Sequence, residues 1–443
     1  MSNKINAILF ITTILGMSSL YFILPEKKNS YSEKRKLAVI PELTFNTYTN
    51  SSWADSMGKF IDDQFPFRNQ FIEMADFVNS CKGIKLENQE KIFISPRNKK
   101  QNRKVIKREE NGEAIYLDEF DEAYSGSMLI INGNVYQMGG GSPVMSKYFC
   151  NMVNEYAQIL KGRTRVFSAV APLSSAFIPV MKYKKYNAQN KQTLLAIKNN
   201  LANGAIFCDV FDELDRHSNE KMYFSTDHHW NAKGAYYAYV AFCRGAGIAP
   251  IELDKMEKRT KYNFLGSLYQ LTRVPEVKAN PDSMEYFIPR VKTTAIRYGK
   301  NNFENPIKTN VFSHQSSGGN TYLTFLSGDA PLIKITTDVK NGRKAVVVKN
   351  SMGNAFAVFL ISHYEEIYVV DFRYSNHNML KIIENNKVND LIFALGMYGA
   401  MSKGTINMMR NLATNNGIVK LKPLTKEDST RIFNPILDTL KTD

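Results

Sequence analysis

A TDHHWN segment near the middle of the chain brings together an acid, two histidines and an aromatic residue. His228 and His229 are adjacent, with Asp227 before them and Trp230 after them. A histidine can take the proton of a weak nucleophile, and a carboxylate can hold its ring in the required tautomer. Side chains two positions apart point the same way in an extended or turn segment. We therefore predict that Asp227 orients His229 and that His229 acts as a base.

A serine with the position expected of a nucleophile lies in the segment KAVVVKNSMGNAF, residues 344–356. The run KAVVV is typical of a strand buried in a parallel sheet, and the residues after it indicate a turn into a helix. Ser351 would then lie at the carboxyl edge of the sheet, beside free backbone N–H groups that suit an oxyanion. The alternative role is an ordinary helix N-cap. We predict that Ser351 is the nucleophile and that its backbone N–H is the best oxyanion donor.

The other residues of these two segments are candidates for the surrounding pocket. His228 would point away from the acid–base pair, and packing or a backbone hydrogen bond would account for it. Trp230 is suited either to packing at the start of the next helix or to contact with a substrate. Gly353 and Asn354 lie in the turn after Ser351, where they would shape the pocket.

Metal binding is the competing chemistry, because two histidines and an aspartate could hold zinc. Adjacent histidines cannot easily chelate one ion from a regular element, and the chain has no HExxH motif. A metal site would need a further ligand, for which His314, His363 and His377 are the candidates. A purely structural cluster is another alternative. We predict that the protein holds no metal and needs no cofactor.

Length and composition indicate a globular protein with two or three folding units. The chain has 443 residues, of which 44% are hydrophobic and 22% are charged. Its formal charge of +15 favours polyanionic partners, but no nucleic-acid module is recognisable, so we expect no nucleic-acid partner. Four cysteines, Cys81, Cys150, Cys208 and Cys243, form no CxxC motif, and buried free thiols are favoured over disulfides.

The N-terminus predicts a membrane-anchor helix. Residues Ala7–Leu24 carry no charge, and Pro25 follows them. Eighteen apolar-leaning residues are close to the length of one membrane crossing, and a cleaved secretory signal has the same appearance. Lysines and an arginine follow the segment, and the positive-inside tendency would keep these residues in the cytoplasm. Export with an uncleaved signal-anchor, or secretion if the signal is cleaved, is what the family resemblance given below implies.

Alternating strand and helix patterns after residue 145 predict an α/β fold with a mainly parallel sheet. A proline-rich stretch with β-rich pieces such as TYLTFLS interrupts this alternation, which resumes at KAVVV. The predicted division is a signal-anchor over 1–30, a connector and helical region packing on the core over 31–125, the first part of the α/β domain over 126–251, a β-leaning insertion over 252–343, and the second part of the domain over 344–443.

Several short stretches together resemble the DHHW family, which is similar to the alginate acetylation proteins. They are TDHHWNAKGAYYAY, IDDQFPFR, FLGSLY, SGDAPL and KNSMGNAF, in this order along the chain apart from the first. The resemblance runs from about residue 35 to 425. It implies a circularly permuted SGNH hydrolase-like domain, a three-layer α/β/α sandwich in which Asp and His precede the serine block.

The resemblance also implies roles for particular residues. It places the Asp-x-His pair on Asp227 and His229 and the nucleophile on Ser351. Arg373 and Tyr398 correspond to positions that carry oxyanion-stabilising side chains in similar proteins. Related serine blocks usually read Asp-Ser and often continue with an aromatic residue, whereas this chain reads NSM at residues 350–352. An asparagine can still form hydrogen bonds to the turn backbone.

The function expected from these observations is acyl transfer outside the cytoplasm. The resemblance implies an O-acetyltransferase or acetylesterase that acts on a cell-surface polysaccharide through a Ser-His-Asp triad. It also implies a membrane-bound O-acyltransferase as the partner that supplies acetyl groups. The alternative, from another class, is a non-catalytic glycan-binding or assembly protein on the same scaffold.

Overall fold

The computed structural model describes most of the chain from residue 127 onward and separate parts of the region before it. The described residues are 2–27, 29–30, 35–49, 52–68, 70, 71, 74, 75, 78, 90–94, 106–110, 113–117, 127–301 and 303–415. Cys81 and parts of the predicted region 31–125 lie outside these ranges, and the packing of that region on the core stays a prediction.

The strands are numbered here in chain order. They are β1 Asn29–Ser30, β2 Arg35–Lys36, β3 Glu90–Ile94, β4 Ile106–Glu110, β5 Glu113–Leu117, β6 Ser127–Ile131, β7 Asn134–Gln137, β8 Arg165–Ala171, β9 Ile206–Phe207, β10 Glu257–Phe264, β11 Asp282–Ile288, β12 Thr293–Tyr298, β13 Ile307–Thr309, β14 Leu332–Thr337, β15 Lys344–Lys349, β16 Glu366–Asp371 and β17 Asp390–Gly396.

The helices are referred to by their residue ranges. The α-helices are Ser2–Ile23, Phe45–Thr49, Ser52–Gln64, Pro143–Ile159, Lys184–Asn200, Val210–Arg216, Ala232–Ala246, Ser267–Thr272, Pro275–Lys278, Met352–Ala357, Met379–Asn386, Met397–Ala400 and Lys403–Asn411. Short 3-10 helices cover Ser174–Phe177, Met181–Tyr183, Leu253–Lys255, Gly318–Thr324 and Val358–Ser362.

The predicted apolar segment at the N-terminus forms the helix Ser2–Ile23. Within the described part of the chain, Lys4–Tyr21 is the stretch long and apolar enough to cross a membrane, judged by length and composition. The end of this helix contacts the helix Ser52–Gln64, where the Tyr21 hydroxyl donates to the Phe60 carbonyl at 3.2 Å. The apolar helix is compatible with either an anchor or a signal.

An eight-stranded sheet forms the centre of the protein, in the order β13-β12-β14-β16-β15-β17-β8-β9. The five strands β16, β15, β17, β8 and β9 run parallel to one another. The strands β14, β12 and β13 extend the sheet in antiparallel pairing. The prediction of a mixed α/β fold with a mainly parallel sheet is therefore confirmed.

Both faces of this sheet are buried under helices. Alternate residues of a strand point to opposite faces, so Ala345 and Val347 of β15 join one core cluster and Val346 and Val348 join another. The first cluster includes the helix Ala232–Ala246, and the second includes the helices Pro143–Ile159 and Lys184–Asn200. Continuous apolar strands such as β15 are the expected consequence of burial on both faces.

Part of the predicted insertion over 252–343 continues the central sheet. Its strands β12, β13 and β14 belong to the eight-stranded sheet, whereas β10 and β11 pair with each other alone. The prediction that TYLTFLS is β-rich is wrong for its first four residues, because Gly318–Thr324 is a 3-10 helix. Burial of Tyr322 and Phe325 decides the local conformation here against intrinsic β-propensity. The chain division at 252 and 343 stays a prediction.

Three of the four cysteines are described, and all three are buried free thiols, as predicted. Cys150, Cys208 and Cys243 lie in the core clusters on the two faces of the sheet. Burial raises the pKa of the Cys150 thiol to about 12, and it does the same for Cys243. Thiols with so little thiolate at neutral pH are poor nucleophiles.

Candidate active site

The segment that carries the two adjacent histidines is a tight loop clamped at its base. Tyr223 and Trp230 form an antiparallel bridge, which closes the loop. The carboxylate of Asp282, at the start of β11, accepts hydrogen bonds from the backbone N–H groups of Ser225 and Thr226 at 2.9 and 2.8 Å. Asp282 is buried, so these bonds fix the loop on the neighbouring strand.

The Asp227 carboxylate is held from two sides. Its Oδ1 accepts from the His229 backbone N–H at 3.0 Å and lies 2.5 Å from His229 Nδ1. Its Oδ2 accepts from the Ser267 backbone N–H at 2.7 Å. A carboxylate can only accept, so Nδ1 carries the proton and Nε2 is left as an acceptor. Asp227 thus sets the tautomer of His229.

Gly266 makes the close approach of Asp227 possible. A Cβ atom at Gly266 would lie 2.3 Å from both Cβ and Oδ2 of Asp227. The Gly266 backbone, with φ of −83°, is open to any residue, so the requirement is for space and not for conformation. The carboxylate therefore sits against a backbone that has no side chain.

Ser351 lies where β15 ends and the helix Met352–Ala357 begins. Its Oγ is 2.8 Å from His229 Nε2, and its side chain makes no capping hydrogen bond to the helix. The ordinary N-cap role is therefore wrong for the Ser351 side chain. Asp227, His229 and Ser351 form one hydrogen-bonded row, although His229 and Ser351 are 122 residues apart in sequence.

The turn around Ser351 depends on two neighbouring residues. A Cβ atom at Gly353 would lie 2.4 Å from the Lys349 Cβ and 2.8 Å from the Ala394 carbonyl oxygen, so only glycine permits this packing. The Asn350 Oδ1 accepts from the Gly396 backbone N–H at 3.2 Å and joins the turn to the end of β17. Asn350 thus forms a hydrogen bond to the backbone despite its departure from the usual Asp-Ser.

Tyr322 covers the imidazole of His229. The two rings are stacked, with centroids 3.7 Å apart and planes 8° from parallel. The Tyr322 hydroxyl donates to the Ser351 carbonyl oxygen at 3.1 Å. Burial, followed by the negative charges of Asp227 and Asp329, raises the pKa of Tyr322 well above its usual value, so the phenol is neutral.

The prediction that His228 points away from the acid–base pair is wrong, because its Nδ1 lies 3.7 Å from Asp227 Oδ1 and its ring lies against that of His229. His228 and Trp230 both support the assembly. The His228 ring lies 3.8 Å from the His229 ring, and its Nδ1 is 2.6 Å from the Ser267 hydroxyl. Trp230 is buried, and its indole N–H donates to the Met352 carbonyl at 3.0 Å. This bond joins the histidine loop to the helix after Ser351, in accord with the packing role for Trp230. A contact of either residue with substrate stays a prediction.

A buried ionic cluster lies next to the Ser351 turn. Lys349 Nζ donates to Asp329 at 2.6 Å and to Asp371 at 2.7 Å. Arg373 donates to both carboxylates, and Asn354 Nδ2 donates to Asp329 at 2.8 Å. Burial alone would raise the pKa of Asp329, but the charges of Lys349 and Arg373 hold it well below its usual range. Two positive and two negative groups therefore balance inside the protein.

The predicted oxyanion residues from neighbouring strands have other hydrogen bonds. Arg373 binds the carboxylates of Asp371 and Asp329, as described above. The Tyr398 hydroxyl donates to the Met138 carbonyl at 3.0 Å, and its ring packs against the core cluster of the opposite sheet face. A role for Arg373 or Tyr398 at an oxyanion stays a prediction.

The acid–histidine cluster also contains the residue types of a metal site. Asp227, His228 and His229 each offer a ligand atom within 4.8 Å of the others. The Asp227–His229 separation of 2.5 Å suits a shared proton, whereas two ligands at about 2 Å from a tetrahedral zinc lie about 3.3 Å apart. The geometry is that of a hydrogen bond, and the absence of a metal stays a prediction.

The histidines proposed as further metal ligands make other contacts. His363 Nε2 lies 2.5 Å from the Tyr239 hydroxyl, and His377 Nε2 lies 3.0 Å from the Gly299 carbonyl oxygen. His314 contacts the Arg259 guanidinium. Among the described residues, none of the three joins the Asp227 group.

Several residues of the site carry no role in the sequence analysis. Gly266 and Ser267 belong to the FLGSLY stretch and Asp329 belongs to SGDAPL, so both stretches lie at the site although no role was predicted for them. Tyr322 and Asp282 have no local sequence signal. Their positions depend on how the region 252–343 folds over the histidine loop.

Comparison with known proteins places these features in a family. The model of the DHHW protein family matches residues 113–370, which is more than half of the chain. A search of curated protein sequences gave no match. Among solved structures, a DHHW family protein from Eubacterium siraeum is 32% identical, with a TM-score of 0.59 over 64% of this chain and 94% of that one.

Two further solved structures are more distant. Bacillus cereus PatB1 with a sulfonyl adduct is 16% identical, with a TM-score of 0.52 over 64% of this chain and 97% of that one. The O-acetyltransferase domain of Pseudomonas putida AlgJ is 12% identical, with a TM-score of 0.33 over 63% of this chain and 97% of that one. The match to PatB1 shows similarity of fold alone. On the family match, which covers the histidine loop and Ser351, the chain belongs to the DHHW family.

Proposed function

We propose that this protein is a serine-dependent O-acetyltransferase or acetylesterase that acts on a cell-surface polysaccharide outside the cytoplasm. The observation that carries the proposal is the row Asp227–His229–Ser351, with Nε2 of the histidine 2.8 Å from the serine Oγ. A base within this distance can take the hydroxyl proton directly. Ser351 is partly exposed at the end of β15, so an ester could reach it.

The reaction proposed for these residues has two steps. In the first, Ser351 Oγ attacks the acyl carbonyl while its proton passes to His229 Nε2, and His229 then gives that proton to the leaving group. In the second, His229 takes a proton from a sugar hydroxyl or from water, whose oxygen attacks the acyl-serine. The proton returns to Ser351 Oγ as the acyl–serine bond breaks. Asp227 balances the imidazolium charge in both steps.

The surroundings of Ser351 support stabilisation of a tetrahedral intermediate. The Ser351 backbone N–H lies at the start of the helix Met352–Ala357, and a backbone N–H here is the best candidate donor to the oxyanion. Gly353 keeps the turn tight, and Asn354 is held by Asp329 behind it. Removal of one such donor typically costs about 10²–10³ in rate.

The scaffold and location complete the proposal. We assign the domain to the permuted SGNH hydrolase-like type, with three layers, because helices cover both faces of the sheet and the acid–base pair precedes the serine in the chain. The helix Ser2–Ile23 would anchor the protein in the membrane, or act as a signal that is removed. A membrane-bound O-acyltransferase would supply the acetyl groups, and the acceptor would be a cell-surface polysaccharide.

The test uses a reagent that reacts with activated serines. Residues 30–443 are incubated with phenylmethylsulfonyl fluoride, or with an activated acetyl ester, and adducts are measured by intact mass spectrometry and peptide mapping. Sulfonylation joins Oγ to sulfur, expels fluoride and releases the serine proton. We expect one adduct, on Ser351, which is lost in Ser351→Ala and reduced at least about 10³-fold in His229→Ala.

Matched variants separate chemistry from folding. Ser402→Ala changes an exposed serine whose side chain makes no capping bond, and His314→Ala changes a histidine in an irregular surface segment. Both should react as the unchanged protein does. A folded protein in which Ser351 never forms an adduct with either reagent would contradict the enzyme proposal. That result would favour the glycan-binding alternative, which is tested by affinity for anionic polysaccharide.

A further inference from the structure

Tyr322 connects the base and the nucleophile of the proposed site, although it is distant from both in sequence. It lies in the 3-10 helix Gly318–Thr324, within the predicted β-leaning insertion. Its ring stacks on His229 at 3.7 Å, and its hydroxyl donates to the Ser351 backbone carbonyl at 3.1 Å. One side chain therefore contacts two members of the hydrogen-bonded row.

We propose that Tyr322 is a positioning residue that holds the His229 ring against Ser351 and stabilises the imidazolium formed during acyl transfer. This inference rests on the proposed function. The two contacts have separable effects, because the ring acts on His229 and the hydroxyl acts on the Ser351 backbone.

Two neighbouring rings fix the orientation of the His229 ring. The rings of Tyr322 and His228 both lie within 3.8 Å of it, and two rings cannot share one face at that distance. The imidazole is therefore enclosed on both faces. Rotation about its side-chain bonds would require either neighbour to move and would break the hydrogen bonds to Asp227 and Ser351 together.

Tyr322 is itself held in place by its neighbours. Its ring makes edge contacts with Phe325 at 5.3 Å and with Phe224 at 6.4 Å between centroids. The side chain is buried, and its hydroxyl bond to Ser351 prevents it from sliding along the imidazole. A ring held at its edge, face and hydroxyl can serve as a fixed wall for the base.

The stacked ring of Tyr322 also affects the charge state of His229. The titratable groups that face His229 are Asp227 and His228 from its own loop and the neutral phenol of Tyr322, with the uncharged Ser351 hydroxyl at Nε2. The face of an aromatic ring attracts a cation, and this attraction is stronger where water is excluded. Tyr322 therefore favours the protonated state that His229 adopts during transfer.

The experiment compares Tyr322→Phe with Tyr322→Leu in the rate of Ser351 sulfonylation between pH 5 and 9. Phenylalanine keeps the stacked ring, so we expect a rate within about threefold of the unchanged protein and the same pH midpoint. Leucine keeps apolar cover but has no π face, so we expect a loss of about 10–100-fold. Its midpoint should fall by about half a pH unit. Tyr262→Leu, at an exposed tyrosine, is the matched control.

A second measurement reports the position of the base without any reaction. The proton between His229 Nδ1 and Asp227 should give a low-field proton NMR resonance, which His229→Ala identifies by its loss. We expect it in the unchanged protein and in Tyr322→Phe, and we expect it broadened or absent in Tyr322→Leu. If Ser351 is never sulfonylated but the resonance depends on the ring at 322, the positioning role stands and the proposed function fails.

Other outcomes overturn the inference. A folded Tyr322→Leu variant with unchanged rate, midpoint and low-field resonance would show that His229 needs no stacked ring. A Tyr322→Phe variant as impaired as Tyr322→Leu would transfer the effect to the hydroxyl and overturn the role of the stack. Thermal denaturation of each variant verifies that it is folded.

Discussion

Gly266 provides a sharp test of the site, because the three heavy atoms nearest to an added methyl group there all belong to Asp227. The added Cβ of Gly266→Ala would lie 2.3 Å from Asp227 Oδ2. Ordinary contact begins near 3.4 Å, so the carboxylate must move by about 1.1 Å. A shift of this size directed away from His229 Nδ1 would take the 2.5 Å contact beyond hydrogen-bond distance.

The magnitude follows from what Asp227 does. A misplacement of about 1 Å can cost 10²-fold, and loss of the orienting acid of a triad costs about 10⁴-fold. We expect the second-order rate of Ser351 sulfonylation to fall by about 10²–10⁴-fold in Gly266→Ala. Overpacking should lower the free energy of unfolding by only about 1–3 kcal/mol, so the variant should still fold.

The assay is the time course of the Ser351 adduct by intact mass, with urea denaturation run in parallel. The matched control is Gly404→Ala, where the nearest heavy atom to the new Cβ is 3.7 Å away. It should keep the unchanged rate. A folded Gly266→Ala protein that reacts as fast as the control would refute the claim that the precise seat of Asp227 matters.

Further predictions concern stability and thiol chemistry. Asp329→Asn leaves buried positive charge uncompensated and should lower the free energy of unfolding by about 3–5 kcal/mol in urea denaturation, whereas Glu384→Gln, in an exposed pair, should cost at most about 1 kcal/mol. Because the pKa of folded Asp329 is lowered, its contribution is present at neutral pH and is lost as pH falls below about 3.9, so the gap between the unchanged protein and Asp329→Asn should narrow there. Burial, with the charge of Arg343, lowers the pKa of His363 to about 4, so the unfolded chain binds a proton before the folded protein does. The melting temperature should therefore fall between about pH 6.5 and pH 4 by a component that His363→Gln lacks. The three buried cysteines should resist iodoacetamide at pH 8 until urea is added, and peptide mapping that finds them alkylated in the folded protein would contradict their burial.

Most of the parallel sheet could be predicted because the local sequence of each strand is enough to indicate it. KAVVV corresponds to β15, EIYVVDF to β16 and NDLIFALG to β17, each a continuous apolar run. An Asn-Gly pair between two apolar runs indicates a tight hairpin turn, and Asn132 and Gly133 both have the positive φ that such a turn requires, 49° and 75°. The spacing of Asp227 and His229 likewise predicts their hydrogen bond, because the two residues are only two positions apart in the chain.

The remainder depends on contacts between distant parts of the chain. No local pattern indicates that β14 adds to β16 in antiparallel pairing, since strand order follows from long-range hydrogen bonds. Tyr322 lies in a piece whose composition favours a strand, and burial turns it into a 3-10 helix. The position of the Asp227 carboxylate depends on Gly266, which lies 39 residues later in the chain. This contact cannot be predicted from either segment alone.

The pairing of β8 with β17 also governs when this protein can fold. These two strands lie side by side in the sheet, yet Arg165 and Asp390 are 225 residues apart. The strand β15, which leads to Ser351, bonds to β17 as well. A nascent chain cannot close its central layer before residue 396 has emerged. Pairing between strands so distant in sequence makes folding slow, and β8 stays without its neighbour β17 until most of the chain has been synthesised.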